Sequence, residues 1–208
     1  MKFSKWLVAA LLVSSVSMAV QVKVSGNPKA NGTGCPDGSV EVIPLGDGSG
    51  VTLLFSKWAL AVTREDQLKG VKSKDSACTI AIPLDVPPGF RLTSLSVSYD
   101  GFASLPRNAF VQMLNRYQFI GQGAGAPVNT KATLIGPVSD NFTFKEDDLT
   151  ILSKVKSPCG KAATMSIGSR LNLRNDNASE AASVTIDALN LVLQEKFRIT
   201  YRWQDERC

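Results

Sequence analysis

The sequence predicts an all-β protein: an antiparallel β-sandwich, jelly-roll or immunoglobulin-like, with little helix and two disulfides. Short apolar runs with a period of two recur along the chain between Gly, Pro, Asp and Asn residues, as in strands joined by turns. The chain has four widely spaced cysteines, and its 208 residues are enough to form one hydrophobic core of ordinary size. No linker divides the chain. We therefore expect a single domain over residues 30–208, preceded at 20–29 by a leader or an edge strand.

The first strands flank a turn-rich segment. Val40 and Val42 begin one apolar run, and Val51, Leu53 and Phe55 form another after a cluster of glycines. Each run predicts a strand with one face toward the core, because successive side chains in a strand point to opposite sides.

The central part of the chain predicts two further strands. Residues 80–86 alternate cleanly, but Pro83 lacks an amide donor and predicts that this strand lies at the edge of a sheet. The next run passes through Val97 and Tyr99, and we expect it to end at Asp100-Gly101.

Strands continue toward the C-terminus. Leucine and isoleucine positions on either side of 168–170 lead us to interpret that interval as a β-bulge. The run Phe197, Ile199, Tyr201 and Trp203 predicts a last strand with an aromatic core face. The best helix candidates are residues 110–114 and 147–152, and the mixed charges of residues 64–74 indicate a solvated loop.

The first nineteen residues have the organisation of a secretory signal peptide. Lys2 and Lys5 precede an apolar run over residues 6–16, and Ser17-Met18-Ala19 supplies the small residues of a cleavage site after Ala19. The apolar run is shorter than the ~20 residues that a membrane-spanning helix needs. We expect a secreted or periplasmic protein without membrane insertion.

The cysteines are expected to form disulfides, because an exported chain meets an oxidising environment. Cys35, Cys78, Cys159 and Cys208 contain no Cys-x-x-Cys pair, so the local spacing of a zinc ribbon or a thioredoxin-like centre is missing. Three connectivities are possible. We favour Cys35 with Cys78 and Cys159 with Cys208, since each pair then clips neighbouring segments.

Composition excludes several classes of function. The chain has no histidine, which removes Ser-His-Asp triads, Cys-His pairs and His-ligated metals. The formal net charge of +5 falls to +3 once Lys2 and Lys5 leave with the signal peptide. So weak a charge does not predict nucleic-acid binding, which needs several basic side chains on one surface.

Carboxylates are the remaining groups for acid–base chemistry, and the only dense cluster is Glu146, Asp147 and Asp148. Such a cluster is more often explained by a helix start than by catalysis. Loop aspartates could supply calcium ligands, although no segment has EF-hand spacing and aspartates in turns usually cap their own backbone. These aspartates are Asp47, Asp140, Asp176 and Asp187.

Aromatic side chains could form a binding platform, although most aromatics of a β domain pack in its core. Tyr99, Asp100 and Phe102 are the best surface-binding candidates, because a tyrosine at a strand end and a phenylalanine past a turn can be partly exposed. Core packing is the alternative interpretation of the same residues.

Several stretches of the chain, together with their cysteines, occur in the order found in a group of secreted proteins. They are Gly34-Cys35-Pro36, Gly38-Ser39-Val40, Cys78 with residues 83–90, Tyr99-Asp100-Gly101-Phe102-Ala103, Ser157-Pro158-Cys159-Gly160, residues 167–173 and residues 203–208. In these stretches the chain resembles the Domain of Unknown Function 4360 family over about residues 31–208. The resemblance implies secretion and a cysteine-framed β domain, and it implies no activity, because the family has none assigned.

These observations favour a non-catalytic exported β-sandwich that acts as an envelope-associated or extracellular binding module. Its candidate partner is a cell-envelope glycan or protein, and we expect no cofactor. One alternative is a carboxylate-dependent polysaccharide hydrolase or lyase, and another is a structural coat or matrix protein.

Overall fold

The computed structural model describes residues 22–146, 152, 154–186 and 198–208, leaving aside the side chains at 95, 198–200 and 203–205. Strands dominate this part of the chain, and the short helix α1, Arg64–Leu68, lies between two of them. The elements are β1 Lys23–Val24, β2 Lys29–Asn31, β3 Val40–Pro44, β4 Gly50–Phe55, β5 Ala59–Val62, α1 Arg64–Leu68, β6 Ser73–Asp85, β7 Phe90–Leu105, β8 Ala109–Ile120, β9 Val128–Ile135, β10 Val138–Glu146, β11 Ala163–Asn175, β12 Ala182–Thr185 and β13 Arg198–Arg207.

The strands form two antiparallel sheets that pack face to face. The six-stranded sheet has the order β1-β6-β11-β8-β9, and β2 also pairs with β6. The seven-stranded sheet has the order β3-β4-β13-β7-β12-β5, and β10 also pairs with β7. The predicted antiparallel β-sandwich is therefore confirmed.

The strand order distinguishes between the two predicted subtypes. Eight principal strands, β4, β6, β7, β8, β9, β10, β11 and β13, can be counted from one to eight along the chain. The seven-stranded sheet contains the first, eighth, third and sixth of these side by side, and the six-stranded sheet contains the second, seventh, fourth and fifth. This is the double Greek-key arrangement of a jelly roll.

The core lies between the sheets and holds the largest side chains. Trp58, Tyr99, Tyr117 and Tyr201 have no exposed area, and aliphatic residues from both sheets surround them. Alternation explains this packing, because β8 buries every odd-numbered residue from Ala109 to Phe119 and turns the even-numbered ones outward.

Both favoured disulfides are present. Cys35 is bonded to Cys78 of β6, and both residues are buried. Cys159 is bonded to Cys208, just past the end of β13, and both residues are exposed. One bridge therefore fixes the segment before β3 to the six-stranded sheet, and the other fixes the C-terminus to the loop before β11.

Two helix expectations were wrong. Residues 110–114, a helix candidate, lie within β8, where tertiary pairing with β9 and β11 overrides local propensity. The loop expected at 64–74 contains α1, which starts with a capping box between Thr63 and Asp66. Of the second candidate, 147–152, only Leu152 lies among the described residues, and it is helical and buried.

Two expected interruptions of strands are not there. β7 runs through Asp100-Gly101 to Leu105, because β10 pairs with it across this stretch. β11 has regular register through 168–170 and no bulge, since the apolar positions on either side are separated by an even number of residues and Ser169 continues their face. The register between β13 and β7 shifts instead between Arg202 and Trp203.

Pro83 does not mark a sheet edge. Two short strands cover that side of β6: β2 pairs with residues 79–81 and β1 with residues 84–85. Pro83 lies between the two pairings, where the ladder is interrupted and needs no amide donor.

Some expectations lie wholly or partly outside the described residues. The predicted signal peptide and Phe197 lie outside the described residues. In the last strand, Ile199 and Trp203 are described by their backbone alone. Its described aromatic side chain, Tyr201, is buried as expected. No helix in the described part of the chain has the length and apolar character to cross a membrane.

Candidate functional site

The three predicted surface-binding residues lie on opposite faces of β7. Tyr99 is completely buried and points into the core, so core packing is the interpretation that holds for it. Asp100 and Phe102 point outward from the seven-stranded sheet and are half-buried. Thr143 of β10 donates a hydrogen bond to Asp100 over 2.8 Å. Binding by Asp100 and Phe102 stays a prediction.

Glu146, the described member of the predicted acidic cluster, connects the two sheets. Its carboxylate accepts hydrogen bonds from Asn115 Nδ2 at 3.0 Å, Tyr117 Oη at 2.5 Å and Thr130 Oγ1 at 2.5 Å. Glu146 ends β10 of the seven-stranded sheet, whereas its donors lie on β8 and β9 of the six-stranded sheet. Asp147 and Asp148 lie outside the described residues.

Tyrosine hydroxyls extend this network into the core. Tyr117 and Tyr99 share a short hydrogen bond between their hydroxyls. Burial raises the pKa of both phenols above the usual range, and the nearby Glu146 charge raises it further. These tyrosines therefore stay protonated, and the arrangement holds the sheets together rather than exposing a reactive group.

The candidate calcium ligands make local contacts instead of converging. Asp47 accepts two hydrogen bonds from Ser49, at 2.6 and 2.9 Å, and Asp140 accepts one from the next backbone amide at 2.7 Å. Asp176 pairs with Arg174 at 2.8 Å. Asp187 lies outside the described residues, and within the described ranges no three acidic or cysteine side chains gather as a metal site.

A groove on the outer face of the six-stranded sheet is the best candidate site. It has a volume of about 450 Å³, and Gly168 of β11 is among the residues that line it. Thr79 of β6 and Arg116 of β8 pair with Gly168 on either side. A Cβ built on Gly168 would meet nothing nearer than 3.9 Å, so the missing side chain leaves the depression open.

Basic, polar and apolar residues surround this depression. Arg116 and Arg170 line the groove together with Asn129 and Leu114. Arg170 forms an ion pair with Asp75 at 3.0 Å. Arg116 is exposed and makes no ion pair or side-chain hydrogen bond with any described residue.

A second cleft opens at the edge of the sandwich, between β2 and β3. It has a volume of about 640 Å³ and is lined by Lys29, Asn31 and Asp37 with the partly buried Val40 and Val42. Asn31 pairs with Thr79 of the groove, so the cleft and the groove adjoin.

Arg116 was not predicted as a site residue from the sequence, and the segment around Gly168 was predicted to be a bulge. The signal available was a glycine at an outward position of an otherwise alternating run, with an arginine two residues further on. What makes these residues a site is their neighbours on β6 and β8, which are about ninety and fifty residues away along the chain.

Among solved structures, the chain has low similarity in sequence and in structure to two carbohydrate-binding modules and one phage protein. TmCBM61, solved in complex with β-1,4-galactotriose, is 8% identical with a TM-score of 0.29, covering 87% of this chain and 88% of that one. A family 11 carbohydrate-binding module of Clostridium thermocellum, in complex with a β-1,3-1,4-mixed-linked tetrasaccharide, is 13% identical with a TM-score of 0.25, covering 88% and 96%. Tailspike protein 4 of bacteriophage CBA120 is 12% identical with a TM-score of 0.22, covering 89% of this chain and 20% of that one. TM-scores this low carry no conclusion about function.

Sequence comparison is more informative. An uncharacterized secreted protein of Arthroderma benhamiae is 28% identical over 175 residues, which cover 83% of this chain and 67% of that protein. The family described as a domain of unknown function, DUF4360, matches residues 21–206. The chain therefore belongs to the DUF4360 family.

Proposed function

We propose that this chain is a secreted, non-catalytic β-sandwich that binds a polysaccharide of the cell surface through the outer face of its six-stranded sheet. Export is supported by the signal-peptide pattern, the two disulfides and the description of the Arthroderma relative as secreted. The groove over Gly168 is the single observation that carries the binding role.

The groove suits binding because its walls belong to long, regular strands. β6, β11 and β8 pair over twelve residues at each interface, so the outward side chains are held in fixed positions. A rigid surface loses little conformational entropy when a ligand binds. Guanidinium, amide and hydroxyl groups lie around the depression, and these groups hydrogen-bond to sugar hydroxyls and acidic substituents.

The enzymatic alternative has less support. The carboxylate of Glu146 is engaged by three donors between the sheets, and the tyrosines next to it have raised pKa values. A glycosidase needs two carboxyl groups about 5 to 9 Å apart across an accessible cleft. No second described carboxylate accompanies Glu146 in this network.

Retention on a cell-wall polysaccharide fraction tests the proposal. Protein purified after export is compared with Gly168→Val, which places a branched side chain in the groove, and with Thr164→Val, a matched control on the outer face of the same strand. We expect the wild type and Thr164→Val to be retained and Gly168→Val to be lost, with no new reducing ends in the fraction. Equal retention of Gly168→Val, or release of sugar products by the wild type, would overturn the proposal.

A further inference from the structure

We infer that the ligand of the Gly168 groove is an anionic, carboxylate-bearing polysaccharide that lies across the strands, with one carboxylate over Gly168 held by Arg116. This inference rests on the proposed function and adds to it the chemical class and the direction of the ligand.

The direction follows from strand register. Asn129, Arg116, Gly168, Thr79 and Asn31 are paired in sequence across β9, β8, β11, β6 and β2. They therefore form one row of outward positions that crosses the sheet at right angles to the strands. Four inter-strand steps of about 4.8 Å make the row about 19 Å long, which accommodates several sugar units.

The row presents groups that complement a sugar chain. Asn129 and Asn31 offer amides that both donate and accept, and Thr79 offers a hydroxyl. Gly168 interrupts the row and gives the ligand access to the backbone between Arg116 and Thr79. An extended polymer can follow this row from the groove toward the cleft at Asn31.

The charge on this face indicates that the ligand is acidic. In the row of Gly168 and the two rows beside it, the outward positions carry Lys29, Arg116, Lys131 and Arg170 but no carboxylate. The nearest acidic residue on β6, Asp75, lies one row further and pairs with Arg170. Of the four cations, Arg116 pairs directly with Gly168 in the β8–β11 register, and it has no ionic partner among the described residues.

Arginine favours a carboxylate as the central contact. The planar guanidinium donates two parallel hydrogen bonds to a carboxylate, and such charge-assisted pairs are stronger than neutral ones. No aromatic side chain occupies an outward position in these three rows. Recognition here depends on charge and hydrogen bonding rather than on stacking, and it is expected to weaken with salt.

Calorimetric titration with polygalacturonate, at low and high salt, tests the inference. Methyl-esterified polygalacturonate is the matched ligand control, because it keeps the backbone and removes the charge. Dextran sulfate tests whether a sulfate replaces the carboxylate, and single-stranded DNA tests for general attraction to polyanions. We expect binding to polygalacturonate that weakens with salt, and at least ten-fold weaker binding to the other three polymers.

The protein variants locate the contact. Arg116→Gln and Gly168→Val should each weaken binding about ten- to a hundred-fold, the loss expected for one charge-assisted contact. Arg202→Gln is the matched control, because it removes one positive charge from the seven-stranded sheet. It should bind polygalacturonate as tightly as the wild type does. Thermal unfolding of each variant checks the fold, and Gly168→Ala replaces Gly168→Val if valine impairs it.

The outcomes separate this inference from the proposed function. Equal binding of the esterified polymer, with loss in Gly168→Val, would refute the anionic ligand and leave the binding surface standing. Equal binding of dextran sulfate or DNA would refute carboxylate recognition. Unchanged binding in both groove variants would refute the site itself, and no binding of polygalacturonate would refute the inference outright.

Discussion

Two glycines in the middle of long strands, one in each sheet, serve opposite purposes. A Cβ on Gly101 of β7 would lie 2.5 Å from the Thr185 carbonyl oxygen and 2.6 Å from the Phe142 ring. Neighbouring atoms therefore occupy the space that a side chain would need. A Cβ on Gly168 would meet nothing nearer than 3.9 Å, so its missing side chain leaves open space. The first glycine serves packing, and the second leaves room for something outside the chain.

The surfaces around the two glycines differ in the same way. Beside Gly101, the outward carboxylate of Asp100 accepts a hydrogen bond from Thr143. Around Gly168, Arg116 has no described partner and Lys131 and Arg170 lie in the next row. An outward charge without a described partner therefore lies beside Gly168 on the six-stranded sheet, whereas the charge beside Gly101 on the seven-stranded sheet is hydrogen-bonded within its own sheet.

The largest expected effects concern the disulfides. Replacing both cysteines of either pair by alanine should lower the free energy of unfolding by about 4 kcal/mol through loop-closure entropy alone. The entropic loss should be nearly the same for the two pairs, because their spans of 43 and 49 residues are similar. The Cys35–Cys78 variant should lose more, since its sulfurs are buried and their removal leaves a cavity beside β6. Chemical denaturation measures both losses.

Exposure gives a second test of the same pair. Mild reduction followed by alkylation should label Cys159 and Cys208 first, because both are exposed. Labelling of Cys35 or Cys78 ahead of them would contradict the described burial.

The glycines themselves give the next largest effect. Gly101→Ala should destabilise the protein by about 1–3 kcal/mol, the usual cost of overpacking. Gly168→Ala should be neutral or stabilise it by up to about 1 kcal/mol, because alanine loses less conformational entropy than glycine in a strand. Denaturant midpoints of the two variants should therefore move apart, and equal shifts would contradict the comparison.

The tyrosines between the sheets should make the stability of the fold depend on pH in the alkaline range. All three, Tyr99, Tyr117 and Tyr201, are buried, and burial raises each pKa above the usual value of 10.0. The unfolded chain loses these protons first, so folding stability should fall as the pH rises above about 10. Near-ultraviolet absorbance should show no tyrosinate before unfolding and all three together with it. A tyrosine that titrates near pH 10 in the folded protein would contradict the network.

The smallest effect comes from α1, which links β5 of one sheet to β6 of the other. Lys74 and Thr63 hold the pKa of Asp66 at about 2, below its usual value of 3.8. Its contribution to stability is therefore present above pH 3.8 and is lost as the pH falls through about 2. Melting temperatures of the wild type and Asp66→Asn should differ slightly at pH 6 and coincide at the lowest pH. A constant difference across this range would assign the effect to another group.

The alternation of apolar residues predicted most of the fold. It located β4 and β6 and the described part of the last strand, because a strand that buries one face must alternate. It failed at Asp100-Gly101, where β7 continues through the glycine, and at 168–170, where the apolar positions keep one phase and Ser169 stands between them. A glycine in the sequence is compatible with the end of a strand and with its continuation. Pairing partners from distant parts of the chain decide between these cases.

The candidate site was less accessible to prediction for the same reason. Tyr99 and Phe102 attracted attention as neighbours in sequence, yet they point to opposite faces of β7. Thr79, Arg116 and Gly168 are far apart in sequence and become neighbours only through the registers of β6, β8 and β11. Strand register depends on the packing of the whole sandwich, so no local sequence motif predicts that these residues form a row.

Mapping of backbone amide shifts in NMR spectra during titration with polygalacturonate shows directly which sheet carries the binding surface. We expect shifts concentrated on the row of Arg116, Gly168 and Thr79 and on the neighbouring residues of β6, β8 and β11. Shifts centred on Ser98, Asp100 and Phe102 of the opposite sheet would contradict this expectation, as would a spectrum that does not change.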